Sequence, residues 1–127
     1  MPGSAPCPCG SGASFDGCCA PALGGTPPRT AEGLMRSRYT AFALGDVSYL
    51  RQTWHPGTVP DDLELDPRMR WTGLEISATE QGMPGDRRGW VTFRAAYRLG
   101  RETGELRERS RFVRQSERWW YLDGDVS

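Results

Sequence analysis

The stretch Gly89-Trp90-Val91-Thr92-Phe93-Arg94-Ala95-Ala96-Tyr97-Arg98-Leu99 decides the fold. Val91, Phe93, Ala95, Tyr97 and Leu99 fall on one side of a period of two, and Arg94 and Arg98 on the other. That alternation is a half-buried strand. Residues 105–115 repeat it: Leu106, Glu108, Ser110 and Phe112 share one face, and Arg107, Arg109 and Arg111 the other. Antiparallel pairing of the apolar sets places Val91 opposite Phe112 and Phe93 opposite Ser110. A slip by one residue would drive arginines into the core. The pairing leaves five arginines on an outer face and turns Glu108 inward.

Working outward, strands are expected at about 69–80, 89–99, 105–115 and 118–123, separated by glycine-rich or polar turns. Upstream lie two helical segments. Thr30 can cap the first, along which Met35, Tyr39 and Phe42 form an apolar stripe. Gly45 ends it, Asp46 can cap a second helix reaching Trp54, and His55-Pro56-Gly57 stops that one. Two helices followed by a four-stranded antiparallel meander make an α+β chain. The Pro- and Gly-rich residues 22–30 read as a linker between residues 1–21 and a domain over 31–127.

The 127 residues carry no net charge, so no global field draws nucleic acid or a membrane. All sixteen basic residues are arginine. No apolar run approaches the ~20 residues that span a bilayer, and the N-terminus lacks a secretory pattern. The cytoplasm is therefore the expected compartment, where thiols stay reduced.

All four cysteines, Cys7, Cys9, Cys18 and Cys19, lie within thirteen positions. Zinc takes four thiolates tetrahedrally. Two close pairs flanking Gly10-Ser11-Gly12 suit that geometry, whereas disulfides among such crowded cysteines would need strained rings. Four protein ligands leave no open position, so one structural Zn2+ is expected, and its removal should unfold the hook and little else. Phe15 is placed to shield the site. Residues 1–28 contain no basic side chain, which argues against phosphate or nucleic-acid binding there.

Cys7-Pro8-Cys9-Gly10-Ser11-Gly12, Phe15 and Cys18-Cys19 resemble the SEC-C zinc knuckle. With Leu34-Met35-Arg36-Ser37-Arg38-Tyr39-Thr40-Ala41-Phe42, Thr53-Trp54-His55-Pro56 and Glu108-Arg109-Ser110-Arg111-Phe112-Val113, the chain is similar to the YchJ family of small bacterial SEC-C proteins. That resemblance implies a nuclear transport factor 2-like domain, in which a curved sheet wraps helices into a cone with a pocket. It names no activity.

Three residues are candidates for a pocket. His55, the only histidine, is either an acid–base group or a helix-end residue interacting with the last carbonyls. Glu108 is either a desolvated base or the partner of a buried Arg38, whose helix position can face the sheet. The ion pair and the helix end are the favoured readings. Segment 87–118, with ten arginines against four acids, could bind anions or RNA, although solvated sheet faces often carry such charge. A binding or adaptor module for a protein or small-molecule partner is preferred to an enzyme of isomerase, dehydratase or hydrolase type, because no catalytic constellation can be assembled.

Overall fold

The computed structural model describes residues 5–126. Expectations resting on positions 1–4 and 127 lie outside the described residues. The elements are α1 (Ala20–Leu23), α2 (Ala31–Leu44), α3 (Val47–Thr53), β1 (Met69–Gln81), β2 (Arg88–Leu99), β3 (Glu102–Gln115) and β4 (Arg118–Val126). The short α1 stands where the linker was expected to begin, and its Ala22 is buried beside Ala41, Tyr49 and Leu50.

Local chemistry sets the helix ends. The Thr30 hydroxyl accepts from Gly33 N–H at 2.9 Å, and Gly45, at φ +77°, closes α2 in the left-handed region that glycine adopts without penalty. The Asp46 carboxylate accepts from Tyr49 N–H at 3.0 Å and starts α3.

The four strands form one antiparallel sheet in the order β1-β2-β3-β4. This corrects the cone. The sheet is an open meander whose outer strands, β1 and β4, remain edges; it is not curled round the helices. Closing a sheet requires enough strands to share the tilt and stagger, and four are too few. The edges are managed instead. Strand β1 carries two register irregularities, at Trp71/Gly73 and Ile76/Ala78, and β4 meets Trp54 in a parallel bridge to Tyr121. Bulges and covering segments of this kind blunt edge pairing.

The register of the central hairpin also differs from expectation. Val91 faces Ser110, Phe93 faces Glu108 and Ala95 faces Leu106. The connection is a two-residue turn, Gly100-Arg101, with Gly100 at φ +65°, rather than a loop over 100–104. The result is a shift by two residues. It preserves which side chains face the core, so patterning alone could not detect it.

Helix α2 lies on the inner face. Leu34, Met35 and Tyr39 pack against Val91, Phe93, Ala95, Phe112 and Trp119, and Cys7, Cys9 and Cys19 belong to the same buried cluster. Among the described residues no helix is long and apolar enough to cross a membrane. Burial raises the hydroxyls of Tyr39, Tyr49 and Tyr121 above their usual range, and the charge of Glu108 adds to the effect on Tyr121. In the unfolded chain these phenols ionise near pH 10, while in the folded chain they hold their protons to higher pH. Stability is therefore unaffected by them below pH 10 and falls above it, by at most about 1.4 kcal/mol per pH unit for each tyrosine. Urea melts between pH 8 and 11.5, with tyrosinate absorbance followed in parallel, should show ionisation arriving together with unfolding.

Candidate metal centre and inner-face residues

The hook is built by backbone bonds around two glycines. Cys7 N–H donates to Ala13 O at 3.0 Å and Gly10 N–H to Cys7 O at 3.1 Å. Gly10 (φ +77°) and Gly12 (φ +89°) take the turn that brings both chain arms back together. Cys18 and Ala20 N–H both donate to Phe15 O, at 3.1 Å each, which folds the second cysteine pair toward the first. Phe15 packs against the buried cluster.

The four Sγ atoms lie within 4.8 Å of one another. Cys9 and Cys18 sulfurs are 3.5 Å apart, and those of Cys18 and Cys19 4.0 Å. Tetrahedral thiolates at zinc–sulfur distances of about 2.3 Å stand about 3.8 Å from each other. The observed separations straddle that value and are far longer than the roughly 2.05 Å of a disulfide. All four cysteines are free. The sulfurs also oppose one another's ionisation. A hydrogen bond from Cys19 lowers Cys9 to about 4, while the same contact together with burial pushes Cys19 upward, and burial raises Cys18. A bound divalent cation would remove that conflict, because coordinated thiols are deprotonated outright. The donor set therefore fits one soft-ligand metal ion with no vacant coordination position.

Support for the sulfurs comes both from α2 and from the motif's own loop. The Thr40 hydroxyl on α2 donates to Cys19 Sγ at 3.3 Å and lies 3.8 Å from Cys7 Sγ. Ser11 Oγ is 3.0 Å from Cys18 Sγ. Arg36 donates from Nη1 to Cys9 O at 3.0 Å while pairing with Glu32. The knuckle has no cation of its own, but α2 supplies one. Thr40 went unrecognised in the sequence; its signal is a hydroxyl set beside the apolar stripe of Met35, Tyr39 and Phe42. It is completely buried.

Arg38 and Glu108 do not form the ion pair. The Arg38 guanidinium is buried and uses Nη1 to reach Leu50 O at 2.9 Å and Thr53 Oγ1 at 2.7 Å. It lies 4.4 Å from the Tyr121 ring centre and 5.0 Å from that of Trp54. Burial lowers it to about 10. Two aromatic faces thus take the place of a carboxylate, a recognised way to hold a desolvated cation. Glu108 Oε2 accepts from the Ser110 hydroxyl and, at 3.1 Å, from the Tyr121 hydroxyl. Tyr121 therefore stands between the two charges. Neither Tyr121 nor Trp54 had been assigned a role, because nothing local in the sequence marks an aromatic as an arginine's neighbour.

His55 is elsewhere. Its Nδ1 accepts from Gly57 N–H and its Nε2 bonds Gln115 Oε1, both at 3.0 Å, so it spans α3's exit and the end of β3. Those partners differ from the helix carbonyls expected of it. Gln115 is seven positions from Glu108 on β3, about 23 Å along a strand. The two residues do not share a site.

The outer arginines are mostly neutralised. Arg94 meets Glu75 at 2.8 Å and Glu105 at 3.6 Å, Arg107 meets Glu105 at 3.0 Å, Arg109 meets Glu80 at 3.1 Å and Arg111 meets Asp123 at 2.6 Å. Arg98 donates to Gly100 O. Exposed pairs of this kind contribute little, so Arg107→Ala and Arg109→Ala should each change unfolding free energy by less than about 1 kcal/mol. Urea denaturation of the two variants checks this.

Residues 30–124 match a family model described as "YchJ, middle NTF2-like domain". A UPF0225 protein of Streptomyces coelicolor is 55% identical over 121 residues, covering 94% of each chain. A UPF0225 protein of Deinococcus radiodurans is 48% identical, covering 93% of this chain and 87% of the relative. Among solved structures, a SEC-C motif containing protein from Rhodopseudomonas palustris, determined in solution, superposes with a TM-score of 0.83 at 32% identity, covering 95% of this chain and 98% of that one. A crystal structure of a SEC-C motif containing protein from Psychrobacter arcticus gives 0.76 at 28%, covering 100% and 86%.

Proposed function

From the premise that the chain belongs to the YchJ family of SEC-C motif proteins, we propose that it is a zinc-stabilised binding module of the cytoplasm, in which the metal fixes the N-terminal hook onto the α+β body. One observation carries this reading: the four sulfurs converge within 4.8 Å and three of the cysteines are part of the main core. Zinc is the choice among sulfur-seeking ions because four tetrahedral thiolates form its usual closed structural site. Such a site holds chain together and does not activate water. The separation of Glu108 from His55 removes the acid–base pair an enzyme reading would use, and the pairing of the outer arginines weakens an anion- or RNA-binding face. A protein or small molecule is the partner class that remains. Metal analysis of protein purified without chelator tests the reading: one zinc per chain supports it, and a chain that is fully folded without metal overturns it.

A further inference from the structure

The four sulfurs of the hook are not equivalent. Cys7, Cys9 and Cys19 are 4%, 0% and 2% exposed, while Cys18 is partly open to solvent. The hydroxyl of exposed Ser11, 3.0 Å from Cys18 Sγ, is its neighbour on that side. Thr40, inside the core, holds Cys7 and Cys19 toward α2. Among the described residues, Cys18 is thus the one member of the cluster that a solute reaches before the hook opens. A metal-bound cysteine is a thiolate, the nucleophilic form of the group, and the reaction of a thiolate with oxidants follows its accessibility.

A second sulfur is placed to complete the reaction. Cys9 Sγ is 3.5 Å from Cys18 Sγ, and the eight residues between them include Gly10 and Gly12, both at positive φ in an exposed loop. Joining the two arms is a short movement of a turn that already brings them together. Cys19 Sγ is 4.0 Å from Cys18 Sγ. Adjacent Cα atoms, however, stand only about 3.8 Å apart, below the roughly 4.4 Å at which ordinary bridges begin. Cys9 is therefore the resolving thiolate, the neighbour that oxidant-responsive cysteines typically have.

We propose that Cys18 is an oxidation site for small hydroperoxides, and that its reaction with Cys9 releases the metal and the hook. Cys18 Sγ attacks the terminal peroxide oxygen. An S–O bond forms, the O–O bond breaks, and the departing alkoxide or hydroxide takes up a proton. Cys18 is left as a sulfenic acid, oxidised by the electron pair that the peroxide accepts. Cys9 Sγ then attacks Cys18 Sγ: an S–S bond forms, the S–O bond breaks, and hydroxide leaves and is protonated to water. In sum, two thiolates, one hydroperoxide and two protons give one disulfide, one alcohol (water, from hydrogen peroxide) and one water. Half of the ligand set is consumed, and Cys7 and Cys19 alone do not complete a tetrahedral site. The hook then loses what fixes it against Leu34, Met35, Phe93 and Phe112. The proposal rests on the reading of the hook as held by zinc.

Hydrogen peroxide, added in equimolar amount to the full-length zinc-loaded protein, tests it. Zinc release is followed with a chromophoric chelator against a peroxide-free control, and the products are mapped by peptide mass spectrometry. A Cys9–Cys18 disulfide formed in step with loss of one zinc per chain is expected, and dithiothreitol with added zinc should restore the starting state. Dimedone, which caps sulfenic acids, should label Cys18 alone when added with the peroxide. Cys18→His keeps a closed set of three sulfurs and one nitrogen but removes the exposed sulfur, so it should hold its zinc over the time in which the natural chain loses it. If that variant binds no zinc, the dimedone label and the disulfide map of the natural chain decide. First labelling at Cys7, Cys9 or Cys19, a disulfide between another pair, zinc retained under excess peroxide, or release from Cys18→His at the natural rate would overturn the proposal. Zinc measured before oxidation separates the two readings. A chain with one zinc that is indifferent to peroxide loses only the oxidation site, whereas a folded chain purified without zinc loses both.

Discussion

Stripping the metal from this chain is expected to destabilise the whole domain by about 4 kcal/mol or more, in the range reserved for loss of a metal site or collapse of a core. The sequence suggested a milder outcome, with the hook unfolding alone. The structure argues otherwise, because Cys7, Cys9 and Cys19 are buried among Leu34, Met35, Phe93 and Phe112. Releasing the hook exposes that side of the core. It also leaves the buried Thr40 hydroxyl without its sulfur acceptor, and an orphaned buried donor carries its own cost. Structural zinc in small domains contributes directly to folding free energy. Urea melts of the metal-replete protein, the chelated protein and Cys19→Ser should share one cooperative transition, shifted far down in the last two. Two separate transitions, with the larger one unmoved, would restore the independent hook.

Trp119→Ala is expected to cost about 3–5 kcal/mol, while Trp120→Ala costs about 1 kcal/mol or less. The two neighbours point to opposite faces of β4. Trp119 is 2% exposed, fills the core against Phe112 and Leu34, and donates Nε1–H to Arg29 O at 3.0 Å. That bond ties β4 to the residues that lead into α2, so the alanine variant loses packing and the anchor for the helix start together. Trp120 is half-buried, donates to Gln115 O within its own hairpin, and stacks beneath Arg118 at 4.4 Å. Chemical denaturation of the two variants side by side checks the contrast. Equal losses would mean that the face assignment of β4 is wrong.

What the sequence discloses, and what it hides, follows from the range of each interaction. Capping and turn residues act within a few positions. The helix boundaries at Thr30, Gly45 and Asp46 could therefore be read directly, and the two-residue period sorted the faces of β2 and β3 correctly. The clustering of four cysteines is equally local, and the structure brings the same four sulfurs together. The pairing of Phe93 with Glu108 depended on whether the chain turned at Gly100-Arg101 or over a longer loop, a choice the alternation does not constrain. Arg38 shows the limit most clearly. A buried cation was expected to find an acid, and Glu108 was the only inward carboxylate. The cation is held instead by the rings of Trp54 and Tyr121, 16 and 83 positions away in the chain, and by Leu50 O and Thr53. The open sheet was hidden for a different reason. Resemblance supplied a cone, whereas whether four strands curl round their helices depends on tilt and stagger that residue types do not record. Thr40 was obscured by its neighbours, since a single hydroxyl beside an apolar stripe reads as surface until the hook is seen packed on it.

The most direct test is X-ray absorption at the metal edge of the protein as purified. Coordination of one zinc per chain by four sulfurs at about 2.3 Å, with no nitrogen or oxygen neighbour, is the result expected of Cys7, Cys9, Cys18 and Cys19 closing on a single ion. A shell containing oxygen or nitrogen, fewer than four sulfurs, or no bound metal in a folded chain would contradict it.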